Sequence, residues 1–261
     1  MKLYISAIIL LSLGQYAVAD TSLEFKNLHN SNKQDSILYQ IKDQKLRFTE
    51  SGSKRVNLFD SQNQQFITFA PATGKAEMLN REILDSRVAQ LNQKRLHKLS
   101  RVEQELKDKL KSMTAKEQEV GESIVNQLKF PEFYGEHTLL KVNTLESTKQ
   151  IGSVDCQIYQ LIKNKQRLKE YCIANPSALK MSNSDYQTLR SFYAFDYNMI
   201  TRLMLAMGKT GFELVDYDKE EMRGVVIEVI SFKGDSIMQH QILTSFNTDT
   251  LDKGIYDLPE R

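Results

Sequence analysis

The chain has 261 residues, 41% hydrophobic and 26% charged, with no Trp and four Pro, a composition that fits one large domain or two small ones around a buried core. Its 35 Lys and Arg stand against 33 Asp and Glu, a formal net charge of +2. So even a balance gives no electrostatic reason to expect nucleic acid or an anionic membrane surface as a partner.

The amino end reads as an export signal. Lys2 supplies a positive charge, Leu3 to Leu13 is uncharged and mostly apolar, and Ala17-Val18-Ala19 offers the small residues that signal peptidase accommodates. Residues 1–19 are therefore expected to be a signal peptide cleaved between Ala19 and Asp20. The apolar run is too short for a mature membrane-spanning helix, and no cysteine follows Ala19 to carry a lipid anchor. No later stretch is apolar for long enough to be a transmembrane segment. The expected product is a soluble periplasmic domain, 20–261.

From Ser22 to Phe69 the pattern has period two. Ile37, Tyr39 and Ile41 share one strand face, Asp43-Gln44 turns the chain, and Leu46 and Phe48 resume the alternation. Ser51-Gly52-Ser53 and Ser61 to Gln64 punctuate two more strands, one with Val56 and Leu58, the other running from Phe66 to Phe69. Short strands joined by tight turns predict an antiparallel meander.

The character changes after Pro71 and Gly74. Residues 79–128 carry 10 basic and 8 acidic side chains and no Pro, while Val88, Leu91, Leu99, Val102, Leu106, Leu110 and Met113 recur at three- and four-residue spacing. That pattern predicts a long amphipathic helix, and Thr114-Ala115-Lys116-Glu117 has the capping-box form that starts a second one, closed by Pro131. Two readings stand: a solvated charged face over an apolar stripe packed on the sheet, or a protruding arm that contacts another protein.

Cys156 and Cys172 are the sole cysteines, in a compartment that permits disulfides. Val154 to Ile162 and Arg167 to Ala174 read as paired strands, and a three-residue turn centred on Asn164 would set Cys156 directly opposite Cys172, at bridging distance. A cross-strand disulfide is the expectation. Ser182 and Asp185 then open another helix, carrying Tyr186, Leu189, Phe192, Tyr193, Ile200, Leu203, Met204 and Met207 and ending near Gly208 or Gly211. Apolar residues nearly surround it, so it should be buried, or buried on one side with another face on a ligand. Val225 to Phe232, the turn Lys233-Gly234-Asp235 and Ile237 to Phe246 form a last hairpin.

No motif supplies chemistry. Gly208-Lys209-Thr210 resembles the end of a phosphate loop, but the required earlier Gly is Leu203 and a helix precedes it instead of a strand. His29, His97, His137 and His240 have no metal-ligand spacing, and no Gly-x-Ser-x-Gly offers a nucleophile. No catalytic residue, metal or cofactor is therefore assigned.

The order of elements, with Gly152-x-x-x-Cys156-x-x-Tyr159 in the hairpin, Leu258-Pro259 at the end and the helical passage from Leu110 to Gln118, resembles exported Gram-negative proteins that contain a DUF-type domain. Those domains resemble the lipoprotein carrier LolA and the receptor LolB, in which a curved antiparallel half-barrel covered by helices encloses an apolar cavity. The resemblance implies no catalytic residues. The expected fold is thus α+β, a curved antiparallel half-barrel-like sheet covered by helices, with a long charged helical segment. The expected function is non-enzymatic binding or carriage of a lipid or other apolar ligand, with Phe192, Tyr193, Phe195 and Tyr197 as candidate contacts. The alternative is an envelope adaptor or chaperone that binds a protein partner through 79–128.

Overall fold

Two-residue turns with both residues left-handed fix the register of hairpins, because their twist matches that of the strands they join. Asp43 and Gln44, with φ of 49° and 63°, make such a turn. In the computed structural model, which describes residues 20–28, 35–111, 113–130, 140–209, 215–217 and 222–257, that turn joins β2 (Ser36–Lys42) to β3 (Lys45–Glu50). The expected signal peptide with Ala19, His29, His137, Thr210, Gly211 and Leu258-Pro259 lie outside the described residues. With β1 (Thr21–Asn27), β4 (Val56–Asp60), β5 (Gln65–Ala70) and β6 (Lys75–Leu79), they complete a six-stranded meander. Residues directly opposed across strands share a face. Leu23, Tyr39 and Phe48 form one such row, and Ile41, Leu46, Phe59, Phe66 and Leu79 form another beside it on that face.

The second half of the sheet comprises β7 (Leu140–Ile151), β8 (Val154–Lys163), β9 (Gln166–Ala174), β10 (Val225–Lys233) and β11 (Ser236–Asn247). All pairings are antiparallel, in the order β6-β5-β4-β3-β2-β1-β11-β10-β9-β8-β7, so β1 joins the halves and the sheet stays open at β6 and β7. The α+β architecture expected from the sequence is the one observed. Three strands go beyond those named from the sequence: β1, inside the stretch read as period two, and the two outermost, β6 and β7. In β6, Lys75-Ala76-Glu77-Met78-Leu79, no side chain is β-branched or aromatic, and β7 is mostly polar. These two are edge strands, where polar side chains guard an unpaired backbone and weaken the alternation.

The cysteine hairpin carries the expected disulfide but not the expected register. Asn164 and Lys165, both at positive φ, make a two-residue turn with Lys163 opposite Gln166. A bulge between Leu161 and Ile162 then shifts the pairing, so Cys156 lies opposite Ala174 and Cys172 opposite Ile158. The disulfide therefore runs diagonally between residues two apart on the same face, with a Cα–Cα distance of 5.3 Å. That distance lies within the bridging range.

Three helices cover the sheet. The longest, α1 (Arg81–Leu110), is capped by Asn80, whose side chain accepts from the Ile83 amide. The capping box expected at Thr114 is present at the start of α2 (Ala115–Lys129): the Glu117 carboxylate accepts from the Thr114 amide, and the Thr114 hydroxyl accepts from the Glu117 amide. Helix α3 (Asn183–Ala206) begins at Ser182, whose hydroxyl accepts from the Asp185 amide, and stops before Gly208, at φ 72°. Against the sheet, α3 packs on β2 and β3; α1 packs on α3, and α2 on α1. Leu84 and Leu99 of α1 are buried, whereas Leu96, Val102, Val120 and Ile124 are exposed. Among the described residues no helix is long and apolar enough to cross a membrane.

Two polar ties complete the frame. The Asp20 carboxylate accepts from Lys42 Nζ at 2.7 Å and from the Leu251 amide at 2.7 Å, joining the start of β1, the end of β2 and the segment after β11. Glu228, 3% exposed, accepts from Lys149 Nζ at 2.6 Å and meets His240 Nε2 at 2.8 Å, tying β7, β10 and β11. Gly224 admits the chain to β10 at φ 146°, where a Cβ would lie 2.5 Å from the Ala174 carbonyl oxygen and 2.5 Å from the Ile173 side chain.

Candidate functional site

Where β1 joins the two halves, the helix-covered face of the sheet does not fill. A cavity of about 310 Å³ remains there, walled by Phe25, Tyr39 and Phe48 from β1 to β3 and by Phe192, Tyr193 and Asp196 from α3. Val226, Glu228 and Val229 of β10, Gln241 of β11 and Tyr217 complete the lining. Register explains the convergence. Phe25 opposes Leu243, two residues from Gln241, and Gln241 opposes Val229, so these side chains share the face that carries Tyr39 and Phe48. On α3, Asp196 follows Phe192 by four positions and Tyr193 by three, which stacks all three on one helical face.

The rings form a nearly continuous wall. Phe25 meets Tyr39 edge-on at 5.6 Å between centroids, Tyr39 stacks on Phe48 at 5.5 Å, and Phe48 meets Phe192 at 5.5 Å. The chain continues from Phe192 to Tyr193 at 5.9 Å, to Tyr217 at 5.1 Å and to Tyr171 at 5.9 Å. Such spacings are those of favourable aromatic pairs.

Acidic and phenolic groups give the cavity its electrostatic character. Burial pushes the phenols of Tyr39, Tyr193 and Tyr217 above their ordinary value, and nearby acidic or phenolic groups add to the shift. Burial alone raises the Asp196 carboxyl. Low dielectric disfavours the charged form in each case. Asp196 is half-buried and makes no hydrogen bond or ion pair with another described residue. No Lys or Arg is among the lining residues.

The four aromatic residues singled out in the sequence divide. Phe192 and Tyr193 line this cavity. Phe195 instead packs against Phe59 and Phe66 and borders a second cavity, of about 390 Å³, whose other walls include Arg81, Leu84 and Arg202. Tyr197 is half-buried and lines neither. Sequence reasoning missed Asp196, Tyr217 and Gln241 as lining groups, because polar residues in an apolar pattern read as surface. Tyr39 and Phe48 were visible as inward strand positions but had no partner until the strands were paired. Among the described residues no group of three or more His, Cys, Asp or Glu is placed to hold a metal ion.

The fold and cavity define an α+β protein with an open eleven-stranded antiparallel sheet, three covering helices and a small aromatic chamber at the middle strand. No family model matches the chain, and no curated protein matches it. Solved structures of PNGF-II in two crystal forms are similar to it: one at 9% identity over 90% of this chain with a TM-score of 0.38, the other at 8% over 91% with a TM-score of 0.36. This chain spans 29% and 30% of those chains. The similarity is distant.

Proposed function

We propose that the protein is an exported, non-enzymatic binding or carrier protein of the periplasm whose aromatic chamber holds an apolar ligand. The observation that supports this most directly is the chamber itself, a cavity of about 310 Å³ left open among six aromatic side chains. That volume is at the lower end of ligand pockets, ~300–1,000 Å³. It suits one acyl chain or one ring system rather than a lipid with several chains. The open sheet under helices accords with the likeness to the LolA and LolB half-barrels read from the sequence, and the disulfide accords with an oxidising compartment.

The test is titration of purified protein with the neutral fluorophore N-phenyl-1-naphthylamine. Saturable binding at one site per chain is expected, weakened by Tyr193→Ala in the chamber and unaffected by Phe195→Ala beside it. Absence of saturable binding, together with a solvent extract of the native protein that holds no small molecule, would refute the reading.

A second reading, an envelope adaptor or chaperone acting through 79–128, draws on a different observation. Leu96, Val102, Met113, Val120, Ile124 and Phe130 are all at least 40% exposed, and exposed apolar side chains on a helical pair are a common means of gripping another protein. Under this reading, Leu96→Glu with Ile124→Glu should abolish cross-linking to an envelope partner without lowering the melting temperature.

A further inference from the structure

A chamber that merely accepted hydrocarbon would gain nothing from an unpaired carboxylate in its wall. This one is lined by six aromatic side chains and has one acidic group, Asp196, at its helical wall. Three further facts concern charge. Asp196 has no hydrogen-bonding or ion-pairing partner among the described residues. Glu228, the other acid at the border, is already matched by Lys149 and His240. No cationic side chain is among the lining residues.

We propose that the ligand of this chamber is an organic cation, an alkyl- or arylammonium whose charged head sits among Tyr39, Phe48, Phe192 and Tyr193 beside the Asp196 carboxylate. The proposal rests on the reading of the chamber as a ligand site and narrows its chemistry. Ring faces carry negative potential and attract ammonium groups, most strongly when water is excluded, and a cage of several rings is the usual receptor for a quaternary ammonium. The carboxylate adds a full opposite charge in a medium of low dielectric. Burial penalises the unpaired carboxylate, and a cationic occupant relieves that penalty. An anionic head would face Asp196 with like charge, and a neutral chain would leave it unpaired. The hydroxyls of Tyr39 and Tyr193 take no part in any hydrogen bond with the described residues, which leaves them available to an ammonium N–H or a polar substituent.

The experiment compares three probes of equal chain length, hexyltrimethylammonium, 1-hexanol and hexanoate, by calorimetric titration of the full exported chain. Hexyltrimethylammonium should bind at least ten-fold more tightly than 1-hexanol, and hexanoate should bind weakest. Asp196→Asn, close in size and shape, should erase the preference for the cation, so that hexyltrimethylammonium binds no more tightly than 1-hexanol. If 1-hexanol equals or exceeds the cation on the parent, or if Asp196→Asn leaves the preference intact, the cation proposal is overturned while the apolar-site reading survives. If none of the three binds, both fall. The parent's own order of affinities decides the matter even if Asp196→Asn folds poorly.

Discussion

The two halves of the sheet are built by the same chain under different rules. From β1 to β6 every strand pair runs in unbroken register. From β1 through β11 to β7 every pair contains a register shift: between Glu24 and Phe25, Ser231 and Phe232, Val226 and Glu228, Leu161 and Ile162, and Thr144 and Thr148. A bulge bends its strand and increases the local twist. The regular half accordingly offers a smooth apolar face to α3. The bulged half is secured by a disulfide and by Lys149 and His240 on the buried Glu228, and the chamber lies where the two halves meet.

The comparison can be broken first at Gly224, where the bulged half is tightest. Gly224→Ala forces a Cβ against backbone at a left-handed φ, so strain and overpacking together should cost on the order of 5 kcal/mol. Urea unfolding would measure the loss, and hydrogen exchange would say whether β9 and β10 open without β3 to β5. In the regular half the corresponding probe is Phe59, 1% exposed and in ring contact with Phe192 and Phe195. Phe59→Ala should cost ~4 kcal/mol, with exchange rising across β3 to β5. If both variants loosen the whole sheet equally, the halves are one cooperative unit despite their different registers.

A milder cut removes the staple. Cys156→Ser with Cys172→Ser loses a bridge of sequence separation 16, worth up to ~3 kcal/mol by chain entropy and less where a hairpin already holds its ends together. The double variant should stay folded with a lower urea midpoint. Alkylation of both thiols in unreduced, denatured protein would show that the bridge does not form.

At the seam, pH is the lever. Burial pushes the Asp185 carboxyl up to about 6, although hydrogen bonds from Thr21 and Ser182 pull the other way. The unfolded carboxyl titrates near 3.8, so the folded protein holds a proton that the unfolded chain gives up sooner. This site's contribution is fully present below about pH 3.8 and is lost as pH rises through about 6. The melting temperature of Asp185→Asn relative to the parent should rise as pH goes from 4 to about 6 and stay at that level above it. A constant difference across the range would contradict it. The smallest effect is expected outside the sheet. Thr114→Ala removes a helix cap and should cost α2 about 1 kcal/mol, visible as faster exchange of the first-turn amides and invisible in β1 to β6.

The same contrast explains what could be read from residues alone. In the regular half, Ile37, Tyr39 and Ile41 and then Leu46 and Phe48 announce both strand and face, and the Asp43-Gln44 turn fixes their pairing. In the bulged half one extra residue moves every later partner. Counting from Asn164 therefore finds the right two cysteines in the wrong register. Bulges leave no periodic mark, and β6 and β7 lack the β-branched and aromatic density that marks an interior strand. For the chamber, the aromatic run of α3 points to Phe192 and Tyr193, but Phe195 and Tyr197 look the same in sequence and face elsewhere. Asp196 has significance only beside Phe25, Tyr39 and Phe48 far earlier in the chain and Val226 to Gln241 later in it, a relation that no local pattern encodes.

The position of β1 has a consequence in time. Its residues pair with β2 a few positions later and with β11 at the far end of the chain, where the Ser245 hydroxyl bonds the Glu24 carboxylate across a separation of 221 residues. A chain that emerges amino end first can zip β1 to β6 from local contacts alone. It must then hold the other side of β1 as an open edge until nearly everything else has arrived. Closing so long a loop is slow, and an exposed edge can recruit the wrong strand in the interval. The protein's most vulnerable moment is thus the wait between the first meander and the last hairpin, and a chaperone that shields one strand edge during that wait would raise its yield more than any added stability of the finished fold.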